Sequence, residues 1–360
     1  MNNIYVQRLN LKNYRNFEQF EINTTSAPIV LIGENGSGKT NILEALSHLF
    51  PGKGIRGARL DDTCKIGESS WRINSLLQSK IGIAEIQIQY YRETNKRSVE
   101  FNGSKIPNNE LSKVSSIIWL IPQMDGLFLD GISNRRRFLD RIVYSFEPKH
   151  SSNVNKYEYL VQERSRFLAE DSSDSNWIKV IEQKIAEVSQ EIAVTRIDAL
   201  SKMQQVIDKF DNPFPKAILS IDSVIEEKLR ESKNIQAYIE AQLLNDRLKD
   251  KISGRTNFGI HRSDFVVTHL EKNQLAKFCS TGEQKALLIS IILAQANSMI
   301  RDQKISPIML LDELFVHLDN RRKEYLTEYL LTSNIQAWIT ATDLNGIEKL
   351  ASQSQVVNLI

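Results

Sequence analysis

Residues 33–40 read Gly33-Glu34-Asn35-Gly36-Ser37-Gly38-Lys39-Thr40 and fit G-x-x-x-x-G-K-[ST], the spacing of a phosphate-binding loop. Each residue type has a task there. Glycines let the backbone curl so that successive N–H groups converge on phosphate oxygens. Lys39 reaches for the β- and γ-phosphates, and Thr40 offers its hydroxyl to Mg2+. A second group lies near the other end, where Ile308-Met309-Leu310-Leu311 runs into Asp312-Glu313. A buried strand ending in two acids delivers carboxylates to the rim of a sheet: Asp312 for the Mg2+ shell, Glu313 to polarise or deprotonate an attacking water. Shortly before it, Ser280-Thr281-Gly282-Glu283-Gln284 puts a hydroxyl and a glycine at the start of an apolar helix. Such a start is either an anion site or a plain N-cap by Ser280 or Thr281.

These groups need elements to hold them. Pro28-Ile29-Val30-Leu31-Ile32 is an apolar, β-branched run directly before the loop, as a buried parallel strand requires. Ile42, Leu43, Ala45, Leu46 and Leu49 follow at helical spacing. Strand, glycine loop, helix is the order the motif demands, which counts against a mere surface turn. Ile117-Ile118-Trp119-Leu120-Ile121 predicts another buried strand, ended by Pro122-Gln123. Ile4, Val6, Leu9 and Leu11 predict a half-buried first strand, Asn13 to Phe17 a turn, and Phe20 and Ile22 a returning strand. Ile81, Ile83, Ile86, Ile88 and Tyr90 fall near period two, and Asn102-Gly103 marks a hairpin. Arg15 in the turn reads as a nucleotide contact or as a solvated residue. The stretch Pro51 to Arg59 carries Lys53, Arg56 and Arg59 without an acid, and is either a polyanion contact or a solvated loop.

From about 124 to 255 the pattern turns to helices with few glycines. Phe138, Leu139, Ile142, Val143 and Phe146 form one face; Tyr157, Leu160, Val161, Arg164, Phe167 and Leu168 form another. From Trp177 to Phe210, Ile181, Ile185, Val188, Ile192, Thr195 and Ala199 step by four and three, a coiled-coil-like seam continued by Met203, Val206, Ile207 and Phe210. Pro213 and Pro215 end it. A short segment at Ala217 to Ile221 and a helix near Ile235 to Ile252 follow. The seam suits a compact inserted bundle rather than a long coil. Arg135-Arg136-Arg137 reads, by itself, as a solvated helix face.

With 360 residues, 41% hydrophobic and 25% charged, the chain has room for two domains, or for one with a large insertion. Net charge is +2, which neither demands nor forbids a nucleic-acid partner. Cys64 and Cys279 make no disulfide framework or zinc site, and a reducing cytoplasm is the expected setting. No signal pattern opens the chain, and the greasiest run, Ala286 to Ala296, is interrupted by Ser290 and Gln295; a core helix is expected, and no membrane span.

In this order, the phosphate loop (Walker A), a Pro-Gln element, an S-x-G-x-Q signature, the Walker B strand and His317-Leu318-Asp319 resemble the ABC-type ATPases. The chain as a whole is similar to the RecF family of their SMC/Rad50-like branch. The likeness includes Leu9 to Phe17, Gly33 to Asn41, Arg135-Arg136-Arg137-Phe138-Leu139-Asp140, Gly259-Ile260-His261-Arg262-Ser263-Asp264-Phe265 and Thr340-Ala341-Thr342-Asp343. The triple-arginine and His-Arg segments are its family-specific parts. The resemblance implies an α/β fold: an ABC-type P-loop ATPase head (1–123 and 256–360) with an inserted helical arm (124–255). It implies that Ser280 and Gly282 touch the γ-phosphate of nucleotide held by a partner subunit. Gln123 then senses Mg2+ and γ-phosphate, and Asp319 sits in a loop between the two sites, while Arg15 stays a candidate nucleotide contact on its own turn. Thr281, Glu283, Ile260, Ser263 and His317 depart from the expected residues, and Thr340 stands where transporter ATPases usually carry a switch histidine.

The function so implied is an ATP-gated DNA clamp of recombinational repair. ATP joins two copies and slow hydrolysis releases them. The clamp would sit at single-strand gaps and junctions with little sequence preference, working with RecR and RecO to help RecA displace single-strand-binding protein. Lys53, Arg56 and Arg59 are the DNA candidates, and the setting is cytoplasmic, at the nucleoid. A transporter motor subunit leaves the helical insert and the missing switch histidine unexplained. A P-loop kinase leaves the Ser280 helix and Asp319 unexplained.

Overall fold

The computed structural model describes residues 2–79, 81–170, 175–231 and 234–359. The chain divides into two compact units. The first holds residues 1–125, 210–214 and 288–360, the second 126–209 and 215–287.

The first unit is built on two sheets. One has five parallel strands in the order Gln355–Asn358, Ile29–Ile32, Ala337–Ala341, Ile308–Leu311, Ile117–Leu120. Its central runs are apolar without alternation because both faces are covered: Ile29, Val30, Leu31, Leu310, Trp338 and Ile339 are fully buried. All five strands point the same way, so Gly33, Asp312 and Gln123 follow their strands at one rim. The other sheet has six antiparallel strands: Phe17–Asn23, Tyr5–Tyr14, Ser70–Ser79, Gly82–Tyr91, Lys96–Phe101, Ser104–Lys105. Its first long strand carries an irregularity between Val6 and Arg8, which lets Val6, Leu9 and Leu11 all face the core despite their odd spacing. The Gly82–Tyr91 strand buries Ile86, Ile88 and Tyr90, but Ile81 and Ile83 lie at the hairpin tip, 69% and 63% exposed, and are not core residues. Asn102 and Gly103, at φ 48° and 79°, make the expected two-residue turn. Buried Gln336 fastens the two sheets: its amide exchanges hydrogen bonds with the Val6 N–H and C=O, at 2.9 Å each.

Behind the helix Lys39–Ser47, His48 is enclosed by Tyr14 and Trp71, with Tyr90 stacked on Trp71. Arg97 donates to its Nδ1 at 3.1 Å.

The second unit is largely helical: Ile132–Phe146, Lys149–Ala169, Ser175–Lys209, Val224–Glu231, Ile235–Asn245 and Arg247–Ser253. The long helix buries Ile181, Ile185, Val188 and Ile192 against Tyr157, Leu160, Ile239 and Leu243, a short seam inside a bundle. Two expectations for this region are overturned, the single helix near Ile235 to Ile252 and the solvated arginine run, and two others gain detail. The helix expected near Ile235 to Ile252 is two helices meeting at Asp246. The segment at Ala217 to Ile221 is a strand, Ala217–Asp222, paired with Asp264–His269 and, beyond it, Gln274–Leu275 in a small antiparallel sheet. Arg164, counted with an apolar face, is buried because it is neutralised: it donates to Glu182 (3.0 Å), Asp250 (2.7 Å) and the Leu243 carbonyl (2.7 Å). The triple arginine is not a solvated face: Arg135 grips Asp264 with two 2.7 Å bonds, Arg136 reaches the Ser263 carbonyl, and of the three Arg137 is the exposed one.

Among the described residues, no helix is long and apolar enough to cross a membrane.

Burial lowers the pKa of His48 from 6.5 to about 3, and that of His261 to about 4. Between those values and 6.5 the unfolded chain binds protons that the folded one refuses. The stabilisation is therefore complete above pH 6.5 and drains away as pH falls through that window. His48→Asn, which keeps an acceptor for Arg97 but cannot titrate, is expected to cost stability through lost packing. It should also lose less than the parent protein between pH 7 and pH 5, as read by urea unfolding at the two values.

Candidate nucleotide-binding site

The strand Ile29–Ile32 ends at Gly33, and the helix Lys39–Ser47 begins at Gly38. Gly38 has φ 101°, and a Cβ there would sit 2.6 Å from the Phe17 ring and 2.8 Å from the Asn16 amide. No side chain fits that turn. A Cβ on Gly33 would collide with the Leu359 carbonyl at 2.5 Å. Lys39 is folded into the loop, its Nζ donating to the carbonyls of Gly33 (2.6 Å) and Glu34 (2.8 Å). Ser37 Oγ is buried with no partner among the described residues. A curled loop with a buried ammonium and an orphan hydroxyl suits a phosphate group.

The acids arrive as expected. Asp312 follows the strand Ile308–Leu311, and its N–H bonds the Leu120 carbonyl at 2.9 Å. Its carboxylate takes the Thr40 hydroxyl at 3.0 and 3.2 Å, so the Walker A and Walker B residues meet. Thr340, from the intervening strand, donates to Asp312 Oδ1 at 2.7 Å. A hydroxyl and one carboxylate are hard oxygen donors of the kind Mg2+ takes when phosphates complete its shell. Among the described residues, no cluster of three or more His, Cys, Asp or Glu could hold a metal unaided.

Glu313 is exposed with φ 50° and lines a cleft of about 320 Å3 together with Asn35, His317, Lys323 and Asp343. Gln123 is exposed in the turn Pro122–Met124, at the same rim. Asp319 caps the helix Asn320–Thr332, accepting from the Arg322 N–H at 2.9 Å, with its side chain more than half exposed.

The basic candidates divide. Arg15 is no solvated turn residue: it makes two 2.7 Å bonds to Glu44, a fully buried acid on the loop helix. Arg56 joins the same carboxylate at 3.3 Å and donates to Asn41 at 2.7 Å. Asn41 in turn bonds Asn16, whose amide reaches the Ser37 carbonyl of the loop. Lys53 and Arg59 are exposed, with no side-chain partner among the described residues. Glu44 was passed over in sequence. An acid at an otherwise apolar helix position, with arginines on both sides, was the available signal.

In the second unit, Ser280 and Glu283 form a capping box. The Ser280 N–H donates to the Glu283 carboxylate at 3.0 Å, and the Glu283 N–H to the serine hydroxyl at 3.4 Å. Lys272 bonds the same carboxylate. These partners, Lys272 first, pull the Glu283 pKa down to about 2. So the N-cap reading of Ser280 holds. Yet Ser280, Thr281 and Gly282 are all exposed, and a Cβ on Gly282 would meet nothing within 4 Å.

Glu44→Ala is expected to cost about 3 kcal/mol, because a buried charge partner is lost from two guanidinium groups. Arg56→Ala should cost less than about 1 kcal/mol, since Arg15 still neutralises Glu44. Urea unfolding of both variants checks the order.

The RecF/RecN/SMC N-terminal domain model matches residues 5–359. The chain is 55% identical over 360 residues to "DNA replication and repair protein RecF" of Rickettsia africae, covering all of both chains, and 54% identical to that of Rickettsia bellii over the same span. A solved structure of the recombination mediator protein RecF-ATPrS in the RecFOR pathway superposes with a TM-score of 0.88. Identity there is 20%, covering 99% of this chain and 96% of that one. An Smc head domain from Pyrococcus furiosus bound to ScpA reaches 0.56 at 14% identity, covering 99% and 93%. None of these relatives is a transporter subunit, and that alternative has no support from them.

Proposed function

The chain belongs to the RecF family of DNA replication and repair proteins, and from that premise we propose that it is an ATP-gated clamp on DNA. Nucleotide binding follows from the loop: Gly33 to Thr40 hold the triphosphate, with Lys39 turned from the loop carbonyls to the β- and γ-phosphates. Thr40 and Asp312, with Gln123 beside them, would hold Mg2+, which when bound neutralises phosphate charge. Glu313 takes the proton of the attacking water. Ser280 and Gly282 complete the site on a second copy. Asp319 lies between the two sites.

The observation that carries this reading is Gly282. A glycine in the first turn of a helix costs up to about 1 kcal/mol relative to alanine, and no described residue of the chain occupies the space its missing side chain leaves. The exposed, open surface beside the Ser280 hydroxyl leaves room for a phosphate approached in trans. ATP burial then shifts monomer to dimer, and slow hydrolysis reverses the shift. The head segments 1–123 and 256–360 carry the nucleotide chemistry, and 124–255 forms the arm. DNA is gripped through phosphates, with Lys53 and Arg59 the freer cations and Arg56 shared with Glu44. Single-strand gaps and junctions, RecR, RecO and the RecA pathway are the partners that membership in this family suggests, in the cytoplasm at the nucleoid.

The test is sedimentation and DNA binding with ATP, with ADP and without nucleotide. Lys39→Met and Ser280→Arg should each abolish ATP-dependent association. Mixed, they should restore part of it, because the mixed dimer has one intact site made of one copy's loop and the other's Ser280. No recovery on mixing would discard the shared site. Lys53→Ala with Arg59→Ala should weaken DNA binding and flatten its salt dependence by about one unit of log–log slope per cation.

A further inference from the structure

We infer that Thr340 is a positioning residue for the hydrolytic step, setting the Walker B pair through a single hydroxyl. The inference rests on the ATPase reading above but concerns a residue that reading does not use.

A hydroxyl has one proton to give and lone pairs to receive. Thr340 Oγ1 lies 2.7 Å from Asp312 Oδ1 and 3.0 Å from the Glu313 backbone N–H. An amide only donates, so the oxygen accepts from Glu313; its proton therefore goes to the Asp312 carboxylate. One atom thus orients the carboxylate offered to Mg2+ and holds the main chain of the residue that faces the water. Thr340 is 2% exposed, so solvent cannot substitute for it. The main chain needs holding, because Glu313 has φ 50°, a conformation that side-chain-bearing residues rarely adopt. The parallel register supplies the reach: Leu311 stands beside Ile339, so Asp312 falls level with Thr340.

Thr340 is therefore turned inward to the acids. It is no γ-phosphate sensor of the kind a switch histidine provides, and it does not titrate in the working range.

Thr340→Val keeps the shape and removes the hydroxyl; Thr340→Ser keeps the hydroxyl. In nucleotide-free protein without Mg2+, the Glu313 amide should exchange its hydrogen at least about tenfold faster in the valine variant, and at close to the parent rate in the serine variant. Single-turnover ATP hydrolysis should fall about tenfold to a hundredfold in the valine variant, with Mg2+-free ATP affinity unchanged, and recover in the serine variant. Unchanged Glu313 exchange in the valine variant would overturn the inference, as would a parent-like hydrolysis rate. Should the parent protein not hydrolyse ATP at all, the ATPase reading fails, and the exchange measurement alone decides the role of Thr340. Thr340→Ala replaces the valine variant if that one does not fold.

Discussion

A parallel strand covered on both faces can carry polar side chains only at its ends. That constraint places the nucleotide chemistry of this protein. The runs at 29–32, 308–311 and 117–120 are apolar from end to end, and each releases its first candidate site residue at the rim: Gly33 and its loop, Asp312 and Glu313, Gln123. The strand Ala337–Ala341 lies between the Walker A and Walker B strands and breaks the rule once. It carries Thr340 in the interior, tolerable because both its hydrogen-bond roles are filled. Convergence at the rim therefore comes from strand order, while orientation comes from the few hydroxyls allowed inside.

The second constraint is that buried charge must be paid in kind. Glu44 has Arg15 and Arg56; Arg164 has Glu182 and Asp250; Arg196 has Asp140 and Glu226, with His150 bonded to the same Asp140. Such pairs add little net stability over an apolar core, but each punishes the loss of one member. All three tie segments far apart in sequence. Glu44 joins the loop helix to the turn at 15 and the basic loop at 56. Arg196 joins the long helix to Ile132–Phe146, to Val224–Glu231 and to the Ile260 carbonyl.

What the sequence disclosed and what it hid follow from this division. Groups set by local chain order were legible: the glycine loop, the acids after a greasy strand, the hairpin at Asn102-Gly103 and the helical seam from Ile181. Groups set by pairing across the fold were not. Arg164 falls on a buried face with no sign of what neutralises it, because its partners lie 18 and 86 residues away. Arg135 and Arg136 looked solvated because Asp264 and the Ser263 carbonyl lie more than a hundred residues on. The segment at Ala217 to Ile221 shows no element type in the sequence for the same reason, since its strand partner begins only at Asp264. Charge and sheet pairing are non-local, and a run of residue types carries no record of its partner.

The departures from the family pattern show the same pairing logic at work. Ser263, one of these departures, is fully buried. Its hydroxyl lies 3.1 Å from each oxygen of Glu226 and has one proton to share with that carboxylate, which already serves Arg196. An aspartate in that place would face Glu226 as a like charge in a buried site. Glu283, another of these departures, has two partners, the Ser280 N–H and Lys272. With a pKa of about 2 it is an anion throughout the physiological range. On the shared-site reading it would repel a phosphate brought to Ser280, and Lys272 would offset only part of that repulsion at an exposed position. The Glu283 anion therefore works against the Ser280 anion site that the proposal assigns, rather than for it.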